Sequence, residues 1–99
     1  MLNRLKLVTI VAERLLQERL LREIKELGGR GYTLTDAYGS GDRGVRASEW
    51  EGLNIKIEVV VPPDTAERLV EHVAATYFEH HAVIVYQQDV EVVRGDKYV

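Results

Sequence analysis

An α+β domain, with two helices packed on one face of a four-stranded antiparallel sheet, is the fold class this sequence predicts. Three observations predict it. Segments rich in β-branched residues alternate with two segments of helical period, in the order β-α-β-β-α-β. The 99 residues suffice for one domain, spanning 1–99, and leave no room for a second core. Two helices also cannot cover both sides of four strands, so both must lie on the same side.

Each element has its own reason. Leu5 to Val11 is β-branched and aliphatic on both faces, which predicts a central strand. From Glu13 to Leu27 the period becomes helical. Leu16, Leu20, Ile24 and Leu27 line one face, with Arg14, Glu18, Arg22 and Lys25 mostly opposite. Gly28-Gly29 should end this helix, where a left-handed cap needs no Cβ. A second strand is expected at about 31–38. Leu53, Ile55, Ile57, Val59 and Val61 alternate with Asn54, Lys56, Glu58 and Val60, which marks a strand with one face on the core. Pro62-Pro63 stops that strand, since neither residue can donate to a ladder. Asp64 fits a helix N-cap, with Glu67 completing a capping box. Ala66, Leu69, Val70, Val73, Ala74 and Tyr77 form one stripe of the helix that follows. Ala82 to Tyr86, continuing through Val90 and Val92, reads as the last strand. This βαββαβ order is the ferredoxin-like arrangement. Its open face should carry Lys56, Glu58, Val60, Thr33 and Thr35, a mixed surface that a second subunit would cover. An oligomer is therefore expected.

Composition narrows the function classes. A net charge of −3 argues against general nucleic-acid binding. The absence of cysteine excludes disulfides, thiolate metal sites and a cysteine nucleophile. Met1–Val11 has Arg4 and Lys6 inside it and no small-residue cleavage site, so it does not read as a signal peptide. No stretch approaches the ~20 apolar residues of a membrane span. The chain reads as soluble and cytoplasmic.

The stretch with the most chemistry is Gly39-Ser-Gly-Asp-Arg-Gly-Val-Arg46. Its glycines allow close backbone approach to a ligand, and Arg43 and Arg46 offer planar forks that suit phosphate oxygens. An anion site, with nucleotide phosphate as its ligand, competes here with an ordinary solvated hairpin loop. The G-x-G-x-x-G match is spurious as a dinucleotide fingerprint. Only 45–52 separate the loop from the next strand, fewer than the ~10–12 residues a crossover requires.

Other candidates are weaker. His72, His80 and His81 read as structural rather than metal-ligating, since adjacent residues of an extended chain point apart. Glu13, Glu18, Glu23, Glu67 and Glu71 interleave with basic residues and read as solvated faces. Trp50 is a latch onto the domain or an anchor for a partner. Arg94 lies at the end of a strand running beside the first. It is either a tail arginine or a residue that reaches a neighbouring subunit's cleft. No catalytic residue and no metal ligand is predicted.

Gly29-Arg-Gly-Tyr-Thr-Leu-Thr-Asp36, then Gly39-Ser-Gly41, then Asn54-Ile-Lys-Ile-Glu-Val-Val-Val61 resembles the PII signalling superfamily, in register with all six elements. The Arg43-Gly-Val-Arg46 step most resembles its SbtB-like, carboxysome-associated branch. The resemblance implies a non-enzymatic homotrimer with nucleotide sites between subunits, and a partner-binding T-loop at about 39–52. It implies phosphate contacts from Gly39, Ser40, Gly41, Arg43 and Arg46. Adenine contacts would come from Thr33, Val60 and the backbone of Ala82 and Val83, with Arg94 joining the site.

Departures from the family pattern refine the expectation. The segment Glu79-His80-His81-Ala82 lacks the glycines and lysines of a triphosphate-holding B-loop, so AMP, cAMP or ADP should be preferred over ATP. Arg43 stands in place of a glutamine and Asn54 in place of a lysine, both used in 2-oxoglutarate sensing, which is not expected here. No tyrosine lies between Gly39 and Gly52 to match the modified one of nitrogen regulators, and the chain lacks a cysteine-bearing C-terminal loop. The implied partner is a membrane transporter, bicarbonate uptake first, which would place the protein at the inner membrane periphery. The alternative is a CutA-like or amino-acid-binding trimeric module that takes a metal or a non-nucleotide anion.

Overall fold

The computed structural model describes residues 2–39 and 54–99. Aliphatic residues on both sides of one segment call for an interior strand, and β1 (Leu2–Glu13) is that strand. A 3-10 turn (Arg14–Leu16) leads into α1 (Gln17–Glu26), followed by β2 (Thr33–Ala37) and β3 (Asn54–Val61). Then come α2 (Pro63–Tyr77), β4 (Ile84–Val93) and a closing 3-10 helix (Gly95–Tyr98). The sheet order is β2-β3-β1-β4 and every neighbouring pair is antiparallel, the ferredoxin-like topology.

Both helices lie on one face. Val8, Ile10 and Ala12 of β1 stand beside Ile57, Val59, Ile55 and Val61 of β3, and all are buried. Leu16, Leu20 and Ile24 close over them from one side, and Ala66, Leu69, Val73 and Tyr77 from the other. The helical stripes read from the sequence are therefore the core-facing stripes.

The open face is also as expected. The register aligns Thr33, Glu58, Thr9 and Tyr86 in one row across all four strands, and Thr35, Lys56, Val11 and Ile84 in the next. Val60, Leu7 and Gln88 form a third row. Ile84 and Tyr86 are 57% and 46% exposed on this face.

Several boundaries differ from the sequence reading. β1 begins at Leu2, because Leu2 to Leu5 pair with Val93 to Val90 of β4, a partner invisible to local periodicity. Glu13 closes β1 instead of opening a helix. The α2 helix starts at Pro63, not after an Asp64 cap. Pro62 is the extended N-cap residue, no side-chain cap bond forms, and Asp64 pairs with Arg68 one turn on. Proline is well placed at the first helical position, because its missing N–H would lack a helical partner anyway. Gly28-Gly29 does end α1: Gly28 has φ +115°, its N–H donates to Lys25 O, and that of Gly29 donates to Ile24 O. That is the double-bonded Schellman closure.

Candidate functional site

The end of the sheet where β2 stops and β3 starts gathers four pieces of chain. Ala37 pairs with Asn54, which pairs with Glu13 at the end of β1. The Glu13 carboxylate reaches across to the segment before β4, where its Oε2 accepts the Ala82 backbone N–H at 3.1 Å. Glu13 is therefore not part of a solvated face, as its position among interleaved charges suggested. It fixes the backbone of Ala82, while Val83 packs half-buried against the core. No local signal marks this role, since the partner is 69 residues away.

Gly39 follows β2 at the same end, exposed, with open space where a Cβ would stand. Ser40, Gly41, Arg43 and Arg46 lie outside the described residues, as does Trp50. Thr33 and Val60 share the open face on adjacent strands; Thr33 is opposite Glu58, two residues before Val60. Arg94 is at the far end. Val11 pairs with Ile84 and Leu2 with Val93, so β4 runs nine residue steps from one end to the other. At about 3.4 Å per step, roughly 30 Å separate Ile84 from Val93, the strand ends next to Ala82 and Arg94.

The histidines have separate surroundings. His72 Nε2 donates to Glu23 Oε1 at 2.9 Å, the His81 ring meets Tyr77 edge-on, and His80 faces Glu79. Among the described residues no three His, Cys, Asp or Glu side chains are grouped to hold a metal. Glu23, like Glu13, departs from the solvated-face reading. Its Oε1 also accepts the Tyr77 hydroxyl at 2.6 Å, while Arg19 stacks over the Tyr77 ring, 4.9 Å from its centroid. Burial pushes the Glu23 carboxyl up. Hydrogen bonds from Tyr77 and His72, with the charges of His72 and Arg19, outweigh it and leave the group below its ordinary value. Burial, then the bond to Glu23 and its charge, pushes the Tyr77 hydroxyl up to about 12. This cluster ties α1 to α2 and, through Tyr77 and His81, to the segment that leads to Ala82.

The family model for nitrogen regulatory protein P-II matches residues 5–97. The chain belongs to the PII family. A PII-like signalling protein of Thermus thermophilus is 51% identical, with 99% of this chain and 98% of that one covered and a TM-score of 0.86. CPII of Thiomonas intermedia, solved with ADP, AMP and acetate, is 26% identical over 99% of this chain and 97% of its own, with a TM-score of 0.86. Its complex with ADP and bicarbonate is 27% identical over 100% and 98%, with a TM-score of 0.85. The chain is thus a PII-like signalling protein, with the ferredoxin-like fold its sequence predicted.

Proposed function

We propose that this PII-like protein senses AMP, cAMP or ADP, in preference to ATP, in clefts between the subunits of a homotrimer. One observation carries the reading. Relatives of the same fold, aligned over nearly the whole chain, are solved with ADP together with AMP or bicarbonate. The fold agrees with it. Gly39, where the T-loop segment of about 39–52 begins, and Asn54, which follows that segment, lie at the same end of the sheet as the Glu13-anchored Ala82.

Gly39, Ser40 and Gly41 bring backbone N–H groups to the phosphate, and Arg43 and Arg46 bring charge. Thr33, Val60, Ala82 and Val83 serve the adenine side. Arg94, beyond the opposite end of β4 from Ala82 in its own chain, joins the site from a neighbouring subunit. The protein is not an enzyme in this reading. Phosphate engaging Arg43 and Arg46 sets the arrangement that the T-loop presents to a partner, a membrane transporter with bicarbonate uptake the first candidate. The signal is a population shift, so its size is bounded by the nucleotide's preference for one arrangement.

Titration calorimetry tests it. AMP and ADP bind the wild type, and ATP binds more weakly. Arg46→Ala costs about 1.5–3 kcal/mol as a lost charged hydrogen bond, which is roughly 10- to 100-fold in affinity. Unchanged AMP affinity in that variant would remove Arg46 from the site.

A further inference from the structure

Glu13 and Arg14 are adjacent in the chain and reach opposite edges of the sheet. In the order β2-β3-β1-β4 the edge strands are β2 and β4, while Glu13 ends the interior strand β1 and Arg14 opens the turn after it. The β1–β4 register pairs Val11 with Ile84, so Glu13 comes level with Ala82 just past the last rung. There its Oε2 accepts the Ala82 N–H at 3.1 Å. Arg14 turns the other way. Its guanidinium donates to the Asp36 carboxylate of β2, across Ile55 of β3, which pairs with both Ala12 and Asp36. Leu16, 2% exposed, pins the turn that carries Arg14.

The strand β2 has need of this second hold. It is five residues long and, among the described residues, pairs with β3 alone. So short an edge is held by few rungs, and its end opens easily. Asp36 lies three residues before Gly39. It shares the helix side of β2 with Leu34, which packs on the core, so the ion pair leaves the open side and Thr33 clear. We propose that Arg14, acting through Asp36, positions the end of β2 from which Gly39 carries the chain toward the nucleotide's phosphate, while Glu13 positions Ala82 on the adenine side. This rests on the nucleotide reading above and adds to it two positioning residues, Arg14 and Asp36, that touch no ligand. One dipeptide then sets the spacing between the two ends of the site, and Arg14 helps to tell a nucleotide from its bare nucleoside. The gain is preorganisation, since less of β2 has to be ordered on binding. The Arg14 and Asp36 side chains are 44% and 68% exposed. A pair so exposed adds little to stability, which limits its effect on affinity to about fivefold.

The experiment is calorimetry on the intact protein with AMP, and with adenosine read by its displacement of AMP, alongside a melting temperature for each variant. Arg14→Ala and Asp36→Ala each weaken AMP binding about three- to fivefold, with melting temperatures close to the wild type. The double variant loses no more than either single one, because each residue acts through the other. Exchanging the charges, as Arg14→Glu with Asp36→Arg, returns AMP affinity to within about twofold of the wild type. Adenosine affinity stays within about twofold in all of these, whereas Glu13→Ala weakens AMP and adenosine alike. If the wild type binds AMP and Arg14→Ala binds it equally well, the positioning role is refuted and the nucleotide reading stands. Losses that add in the double variant, or that fall equally on adenosine, refute it too. No AMP binding by the wild type overturns the nucleotide reading itself, and this inference with it.

Discussion

At the scale of single residues, the Tyr77–Glu23 bond is the interaction whose chemistry is most exposed to test. A buried hydroxyl donating to a carboxylate is a charge-assisted hydrogen bond, worth more than a neutral one. Tyr77→Phe should destabilise the protein by about 1.5–3 kcal/mol at neutral pH, measured by urea unfolding. The pH dependence has a definite sign on each side. Tyr77 titrates at about 12 when folded, against 10.0 for the free group. Its contribution is full below pH 10 and is lost as pH rises from 10 toward 12, because the unfolded chain ionises first. Glu23 is lowered from 4.5, so its contribution is full above that pH and is lost as pH falls through the folded value. Melting temperatures across pH 9 to 12 should fall more steeply in the wild type than in Tyr77→Phe. Parallel curves would dissociate the hydroxyl from the alkaline loss.

Between elements, the join that matters is Glu13 to Ala82. It ties the end of β1 to the segment entering β4, and Ala82 has no side chain with which to hold itself in place. Glu13→Gln keeps an acceptor oxygen and should retain nucleotide affinity within about threefold. Glu13→Ala leaves the amide without its partner, which costs about 1–3 kcal/mol if the amide stays buried. Nucleotide affinity should drop, and Ala82 amide hydrogen exchange should accelerate. Equal exchange rates in the two variants would mean that the carboxylate does not hold this backbone. Elements were far more legible than their joins. Alternation along Asn54–Val61, the stripe from Ala66 to Tyr77 and the Gly28-Gly29 stop each follow from neighbours within a turn or two. The start of α2 was misread because Asp64 has the right chemistry for a cap, while Pro62 and Pro63 have the geometry.

At the scale of the whole molecule, the open sheet face is the feature one chain leaves incomplete. Thr9 in its centre is 1% exposed and its hydroxyl has no hydrogen-bond partner among the described residues, and exposed Tyr86 and Ile84 border it. Buried polar atoms normally find partners, and a second chain on this face brings candidates. Light scattering after size exclusion should give about three times the 11.3 kDa of one chain. Tyr86→Glu places a charge on that face without disturbing the helix-covered core. It should raise the assembly's dissociation constant at least tenfold, and nucleotide binding should fall with it if the sites lie between subunits as proposed. A charge there that leaves mass and binding unchanged would locate the interface elsewhere.

The sequence by itself determined the six elements, their order and the faces they turn to the core. These depend on periodicity, on proline and glycine stops, and on how many helices a four-stranded sheet can shelter. It also carried the glycine-arginine loop and the family likeness, because a motif is a local string. Only the tertiary structure decided that Glu23 and Glu13 hold Tyr77 and Ala82, 54 and 69 residues away. It alone set Arg94 in a left-handed bend against Asn3 and at the opposite end of the sheet from Ala82. The reason is physical: register and chain reversal bring together residues whose own neighbours say nothing about one another.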